Sequence, residues 1–285
     1  MTKQLKRVAA IHDISGFGKC SLTVALPIIS AAGIETSALP TAVLSTHTGG
    51  FTGFTYRDLT EDIQSIADHW KSLNISFDAI YTGFLGSFEQ VDLVMKFFET
   101  FKTKNNLILV DPVMADNGEL YSIFSPEFAL GMRKLCEKAD IVIPNLTEAA
   151  LLLREPYRPG PYSQSYIESI LKKLSAFGPK KIVLTGVYFD DESLGAATYD
   201  ADNGEIAYEF EKRIPGYYHG TGDVFGSALL AAILNGFPLN EAARIAVRFT
   251  ASAIRKTAQA GTDIRFGVNF EQTIPEFLKD LKLID

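Results

Sequence analysis

The chain has 285 residues, 47% of them hydrophobic and 21% charged, with a formal net charge of −7. That length supports a sizeable buried core, and the acidic balance, with no Lys/Arg run, argues against a nucleic-acid binder. Met1–Arg7 leads into an apolar run too short for a signal peptide, and no segment approaches the roughly 18 uninterrupted apolar residues of a membrane span. The two cysteines, Cys20 and Cys136, have neither metal-ligand spacing nor a framework of pairs, so a cytoplasmic, reduced protein is expected.

In chain order, strand-like runs fall at Val8–Ile14, Thr36–Leu44, Phe77–Thr82, Leu107–Val113, Ile141–Pro144 and Lys181–Thr185. Helical patterns lie between them at Ser21–Ala32, Glu61–Leu73, Ser87–Lys102, Pro126–Ala139, Thr147–Arg154 and Ser165–Phe177. Ser87 with Gln90 makes a capping box, and Ser125 before Pro126 makes an N-cap followed by proline at the first helical position. Strand alternating with helix predicts an α/β protein with three α/β/α layers around a mostly parallel sheet. Gly195–Tyr199 and Glu205–Phe210, joined through Asp200–Gly204, predict an antiparallel hairpin at one edge. Three helices follow, over Val224–Leu234, Asn240–Gln259 and Phe270–Leu283. Arg158-Pro159-Gly160-Pro161 is the only strong interruption and is short enough to be a loop, so residues 1–285 are expected to form one domain.

Ligands of an open parallel sheet bind beyond the carboxyl ends of its strands. Asp13, Thr46 to Gly49, Thr82-Gly83, Asp111, Asn145 with Glu148, and Thr185-Gly186 all sit at or just past predicted strand ends. Ser15–Ser21 after the first strand invites two familiar readings that both fail. A Walker A loop needs glycine where Asp13 stands and Ser/Thr where Cys20 stands. A dinucleotide fingerprint needs its third glycine where Ser21 stands. The loop is left as either a plain turn or part of a ligand wall.

His219-Gly220-Thr221-Gly222-Asp223 puts two glycines and a carboxylate at the mouth of an apolar helix. A helix start leaves backbone N–H groups unpaired and carries about half a positive charge. Glycines let an anion approach those groups closely. Asp223 either caps the helix or acts as a general base beside a transferring phosphoryl group. Asp111 either caps a turn before Pro112 or belongs to a metal–phosphate site. Asn145 and Glu148 have the spacing of an N-cap and its capping-box partner.

Taken together, Ala9–Asp13, Ser45–Gly49, Tyr81–Ser87, Asp111–Gly118 with Leu120-Tyr121, Pro144–Glu148 and the Gly-Thr-Gly-Asp segment resemble the pyridoxal/pyridoxamine kinases of the ribokinase superfamily. The resemblance covers most of the chain in the right order. It implies a ribokinase-like fold, likeness to homodimers, and ATP-dependent phosphorylation of the 5′-hydroxymethyl group of a vitamin B6 vitamer. By that resemblance Asp223 is the base, and the N–H groups of Gly220, Thr221 and Gly222 hold the phosphoryl group. Asp111, Asn145, Glu148, Thr185, Gly186 and Thr221 surround ATP, with Asp111 and Glu148 near Mg²⁺, partly through water. Asp13, His47, Thr48, Gly49 and Thr82 would meet the vitamer. Asp116–Tyr121 matches a flap over the phosphates, and a monovalent cation such as K⁺ is admitted. Relatives carry Ser at the position of Asp13. Hydroxymethylpyrimidine kinases are the nearest confusable enzymes, and a catalytically silent vitamer- or nucleotide-binding regulator is the alternative from another class.

Overall fold

The computed structural model describes residues 5–285. Strands that are apolar on both faces through their central residues are buried in a sheet covered by helices on both sides. Six such strands run parallel: β1 (Arg7–Phe17), β2 (Glu35–Thr46), β4 (Ala79–Thr82), β5 (Leu107–Val110), β8 (Ile141–Val142) and β9 (Lys181–Val187). At one edge β10 (Ser193–Asp200) and β11 (Glu205–Lys212) continue the sheet antiparallel, and at the other β3 (Tyr56–Asp58) folds back on β2. The nine-stranded order is β11-β10-β9-β8-β5-β4-β1-β2-β3. The chain thus leaves β1 toward β2 and later returns to β4 on the opposite side, which makes the end of β1 the topological switch point.

Alternation along each strand feeds two cores. In β4, Ile80 points into one layer, while Ala79 and Tyr81 point into the other. The first layer holds α2 (Thr60–Ser72), α3 (Phe88–Phe101), α4 (Phe128–Cys136), α5 (Leu146–Leu153) and α6 (Gln164–Ser175). The second holds α1 (Leu22–Ala31), α7 (Thr221–Leu234), α8 (Leu239–Ala260) and α9 (Ile274–Asp280). Helix α7 packs against both α1 and α8, so Val224–Ala232 is buried without interruption and shows little polar face. Helix α8 has solvent on one side and is strongly amphipathic.

The α/β/α architecture and the edge hairpin are as the sequence predicts; several boundaries differ. Strand β1 runs on to Phe17, because Ser15 and Phe17 pair with Leu44 and Thr46 of β2. Strand β3, only three exposed residues, has no apolar pattern to announce it. Only half of the expected capping box forms at Ser87. Its hydroxyl accepts from the Gln90 N–H (3.2 Å), but the Gln90 carbonyl accepts instead from Gly86 N–H (2.7 Å). The Gln90 amide nitrogen donates to the Thr41 carbonyl (3.0 Å) and the Thr60 hydroxyl (2.9 Å), so the buried side chain is satisfied at both ends. Ser125 and Pro126 do not start α4. They form a turn in which Phe128 N–H reaches the Ser125 carbonyl (2.9 Å), and the helix begins at Phe128. The last helix opens as a 3₁₀ turn over Phe270–Thr273 before α9, with Pro275, which has no N–H to give, in its first turn.

Candidate active site

A cavity of about 850 Å³ opens where the switch point predicts, lined by Asp13, His47, Asp111, Glu148, Thr185 and Asp223 among others. Its floor is the mouth of α7. Gly220 is the N-cap, at φ 75, ψ 2, with no side-chain cap. A Cβ on it would lie 2.0 Å from the Lys19 carbonyl oxygen, so only glycine fits this close approach. The first helical bond runs from Val224 N–H to the Gly220 carbonyl (3.1 Å), leaving the N–H groups of Thr221, Gly222 and Asp223 without helical partners. The Thr221 hydroxyl donates back to the Tyr218 carbonyl (3.1 Å). Gly222 is exposed, and a Cβ there would come only within 3.9 Å of the Asp111 carboxylate.

Asp223 occupies the first turn but does not cap it, since the N-cap position is filled by a bare glycine. Its carboxyl opens onto the cavity inside low-dielectric walls. Burial pushes its pKa up to about 7, offset in part by the backbone N–H of Ser21 and raised further by the charge of Asp13. That is the range a general base at neutral pH requires.

Opposite the mouth lie Asp111, just beyond β5, and Glu148 in the first turn of α5. Asn145 and Glu148 do form the capping box: Asn145 Oδ1 accepts from Thr147 and Glu148 N–H (2.8 and 2.9 Å), and Glu148 accepts from Asn145 N–H (2.9 Å). Glu148 also accepts from Met114 N–H (3.1 Å), and the Asn145 amide donates to the Ala115 carbonyl (2.8 Å). The same two residues line the cavity, so capping and site roles coexist. The box fixes Glu148 in place. The Asp111 carboxylate has no protein donor among the described residues. Burial drives its pKa well up, with repulsion from Glu148 and Asp223 adding to the shift. Glu148 is raised too, by burial, against the pull of its backbone N–H partners. Two buried carboxylates with raised pKa values need a cation to stay ionised together.

In the segment expected to act as a flap, the strands β6 (Ala115–Asp116) and β7 (Glu119–Leu120) pair antiparallel. It is held by Gly118 N–H to the Thr147 hydroxyl (2.9 Å), with Gly118 packed against the Tyr157 ring. On one side of the mouth, Thr185 N–H is bound to the Pro144 carbonyl (3.0 Å), and Gly186 at φ 73 leaves open space beside Tyr188 and Leu194. This lobe ends against Val247, Ala251 and Ile254 of α8.

The other lobe holds Asp13, His47, Thr48 and Gly49, with Phe51 and Phe84 as apolar walls. Asp13 is buried and accepts from the Ser15 hydroxyl (3.1 Å) and the Ser21 hydroxyl. His47 Nδ1 accepts from Gly49 N–H (3.1 Å), so Nε2 carries the proton and donates to the Arg265 carbonyl (2.6 Å). Both nitrogens are committed and burial lowers the ring's pKa, which makes His47 a neutral part of the wall. Thr82 is a correction to the sequence reading. It is fully buried in β4, its hydroxyl has no partner, and it does not reach the cavity. The strand ends at Thr82, but its side chain points into the sheet's interior.

Sequence reasoning missed Cys20, Tyr188 and Tyr217 on the cavity wall. Tyr217 directly precedes the helix-mouth motif and was within reach of inspection. Tyr188 arrives only through the antiparallel turn after β9. The Gly16–Ser21 segment is no plain turn: Cys20 and Ser21 face the site.

The family model for phosphomethylpyrimidine kinase matches residues 26–267. A Bacteroides thetaiotaomicron protein with a provisional phosphomethylpyrimidine kinase assignment, crystallised in a form with pyridoxal, is 38% identical at a TM-score of 0.92, with 96% of each chain covered. The pyridoxal kinase of Lactobacillus plantarum is 33% identical at a TM-score of 0.88, covering 97% of this chain and 98% of its own. A pyridoxal kinase of Dictyostelium discoideum is 29% identical over 215 residues, 70% of this chain and 68% of the relative. Matching over most of its length, with the same fold and a helix mouth facing paired carboxylates, the chain belongs to the phosphomethylpyrimidine and pyridoxal kinase family of ribokinase-like enzymes.

Proposed function

We propose that this kinase transfers the γ-phosphoryl group of ATP to the 5′-hydroxymethyl group of a B6 vitamer. The observation that carries the reading is Asp223: a carboxyl on the cavity wall, in the first turn of a helix whose free N–H groups share that cavity, with a pKa raised by burial. In this reading Asp223 accepts the hydroxyl proton as the oxygen attacks phosphorus. The N–H groups at Gly220, Thr221 and Gly222 stabilise charge on the transferring phosphoryl, preorganised so that no reorientation is needed. The lobe at Thr185 and Gly186 takes the nucleotide, and the lobe of Asp13, His47, Thr48 and Gly49 takes the ring. Asp13 offers its buried carboxylate to a donor on the ring, and Phe51 and Phe84 cover the ring's apolar surface.

Asp111 and Glu148 fit Mg²⁺, which takes hard oxygen ligands and is held through one or two carboxylates, water and substrate phosphates. Asp111 fits it best, as a buried carboxylate with no protein donor. When bound, the metal would neutralise phosphate charge between these carboxylates. Glu148→Gln keeps the capping geometry and removes one negative charge. The half-saturating Mg²⁺ concentration for ADP release should rise about tenfold, and an unchanged titration would remove Glu148 from the metal's surroundings.

The vitamer is favoured by the relatives named pyridoxal kinase and by the pyridoxal-containing form of the Bacteroides protein. The matching family model and that protein's provisional assignment favour hydroxymethylpyrimidine or its monophosphate as a second substrate reading. Competition between the two compounds for one enzyme separates them.

A further inference from the structure

Positive charge is spread unevenly around the cavity. Among the described residues that line it, the lysine and arginine side chains are Lys212 and Arg213, at and just past the end of β11. Lys212 pairs with Ser193 across the hairpin and Gly195 pairs with Val187, so both cations stand beside the end of β9 and its Thr185–Gly186 lobe. The Arg213 guanidinium lies 4.9 Å from the centre of the Tyr188 ring, in the same place. The ring lobe has no such group. Lys19 and Arg265 border it, the latter with its stem against Gly50, yet neither lines the cavity. The Lys19 ammonium is engaged by Glu271 (2.9 Å) and Asn269 (3.2 Å), and the Arg265 guanidinium by Asp263 (3.0 and 3.1 Å). His47 and His219 do line it, but burial lowers the pKa of both rings, so neither is charged at neutral pH. The charged groups on this side are Asp13, held by the Ser15 and Ser21 hydroxyls, and Asp223. An Mg²⁺ ion at Asp111 and Glu148 leaves those two carboxylates without a counter-charge.

We propose that this asymmetry makes the enzyme a single-transfer kinase, whose acceptor lobe takes an uncharged hydroxymethyl compound and rejects the corresponding phosphomonoester. It rests on the reading of Asp223 as the base and of the Asp13 lobe as the acceptor site. In the permitted step the hydroxyl oxygen bonds to the γ-phosphorus, the bond to ADP breaks, and the proton goes to Asp223. A phosphomonoester in the same place would bring about two negative charges. The lobe already holds two carboxylates and no lysine or arginine, and like charges set together away from water are strongly disfavoured. The free N–H groups at the α7 mouth do not offset this, because the γ-phosphoryl group occupies them. Transfer therefore stops at the monophosphate and no diphosphate is built. Selection comes from a repulsive element on the acceptor side, while the cationic side of the cavity is left to the nucleotide.

The test is calorimetric binding with Mg²⁺ and β,γ-methylene-ATP saturating, so that a phosphate already holds the helix mouth. The compounds are pyridoxine, which has no aldehyde to react with lysines, hydroxymethylpyrimidine, and the monophosphate of each. Each alcohol that binds should do so about a hundredfold or more tightly than its phosphate. Asp223→Asn keeps the shape and removes the charge, and should narrow that ratio about tenfold. A lobe merely too small for a phosphate predicts an unchanged ratio. The wild-type ratio carries the first half of the test whatever the stability of the variant. With Mg·ATP, neither monophosphate should release ADP above the rate without acceptor. A phosphate bound as tightly as its alcohol, a ratio unmoved in Asp223→Asn, or a diphosphate product seen by phosphorus NMR overturns the proposal. So does failure of both alcohols to bind, since the lobe is then no acceptor site. Binding and turnover of the pyrimidine alone sinks the B6 reading and leaves the test intact on the pyrimidine pair. A diphosphate formed from the pyrimidine monophosphate beside normal pyridoxine turnover sinks the proposal and leaves the B6 reading standing.

Discussion

Asp223→Asn is expected to lower kcat by about a hundredfold or more, equivalent to roughly 2.7 kcal/mol of transition-state stabilisation, while ATP binding changes little. The amide preserves size and position at the α7 mouth but cannot take the hydroxyl proton. The pH profile supplies the second half of the expectation. With Asp223 raised by burial to about 7, the base is protonated and idle below that pH and competent above it. Wild-type kcat/KM should therefore rise with pH through about 7 and level off, and the variant should lose that limb. A variant with near-wild-type kcat, or an unchanged acid limb in its profile, would remove Asp223 from the role.

Gly220→Ala and Gly222→Ala should separate folding from chemistry at the same helix mouth. An alanine at 220 would hold φ near 75 and place its Cβ 2.0 Å from the backbone oxygen of Lys19. Backbone cannot step aside as a side chain can. Left-handed strain and forced displacement together should cost about 2–4 kcal/mol, seen as a lower melting temperature with activity falling alongside. At 222 the nearest atom to a new Cβ is the Asp111 carboxylate at 3.9 Å, ordinary contact within a helix. Alanine there should leave the melt unchanged or raise it slightly. It should still cut kcat/KM for ATP about tenfold or more, because the methyl group fills the approach to the free N–H groups. Equal melts for the two variants would contradict the close approach at Gly220. Unimpaired turnover in Gly222→Ala would contradict phosphoryl binding at the mouth.

Much of this was legible in the sequence, for physical reasons that differ from element to element. The central parallel strands announce themselves because burial on both faces leaves them few polar positions, as in Leu107–Val110. Once they are placed, the rule that ligands gather at carboxyl ends brings Asp13, Asp111, Asn145 and Thr185 to one edge without any coordinates. The same rule fails at Thr82, because it locates a residue along the strand and not the face its side chain takes. Thr82 stands at the strand end yet is fully buried and does not line the cavity. Caps were legible where partners are three residues apart, as for Asn145 and Glu148. They were misread where another donor competes, as Gly86 N–H does for the Gln90 side-chain oxygen. The backbone of Ser21, at φ 57, was invisible: nothing in Lys19-Cys20-Ser21 requires a positive φ.

The most direct test of the account is ADP release with Mg·ATP against pyridoxal, pyridoxamine, pyridoxine and hydroxymethylpyrimidine, with Asp223→Asn assayed in parallel. The account predicts turnover on at least one B6 vitamer that collapses in the variant. Turnover confined to hydroxymethylpyrimidine would contradict the substrate. Tight vitamer binding without ADP from any of the four would contradict the reaction itself and point to a regulator on a kinase fold.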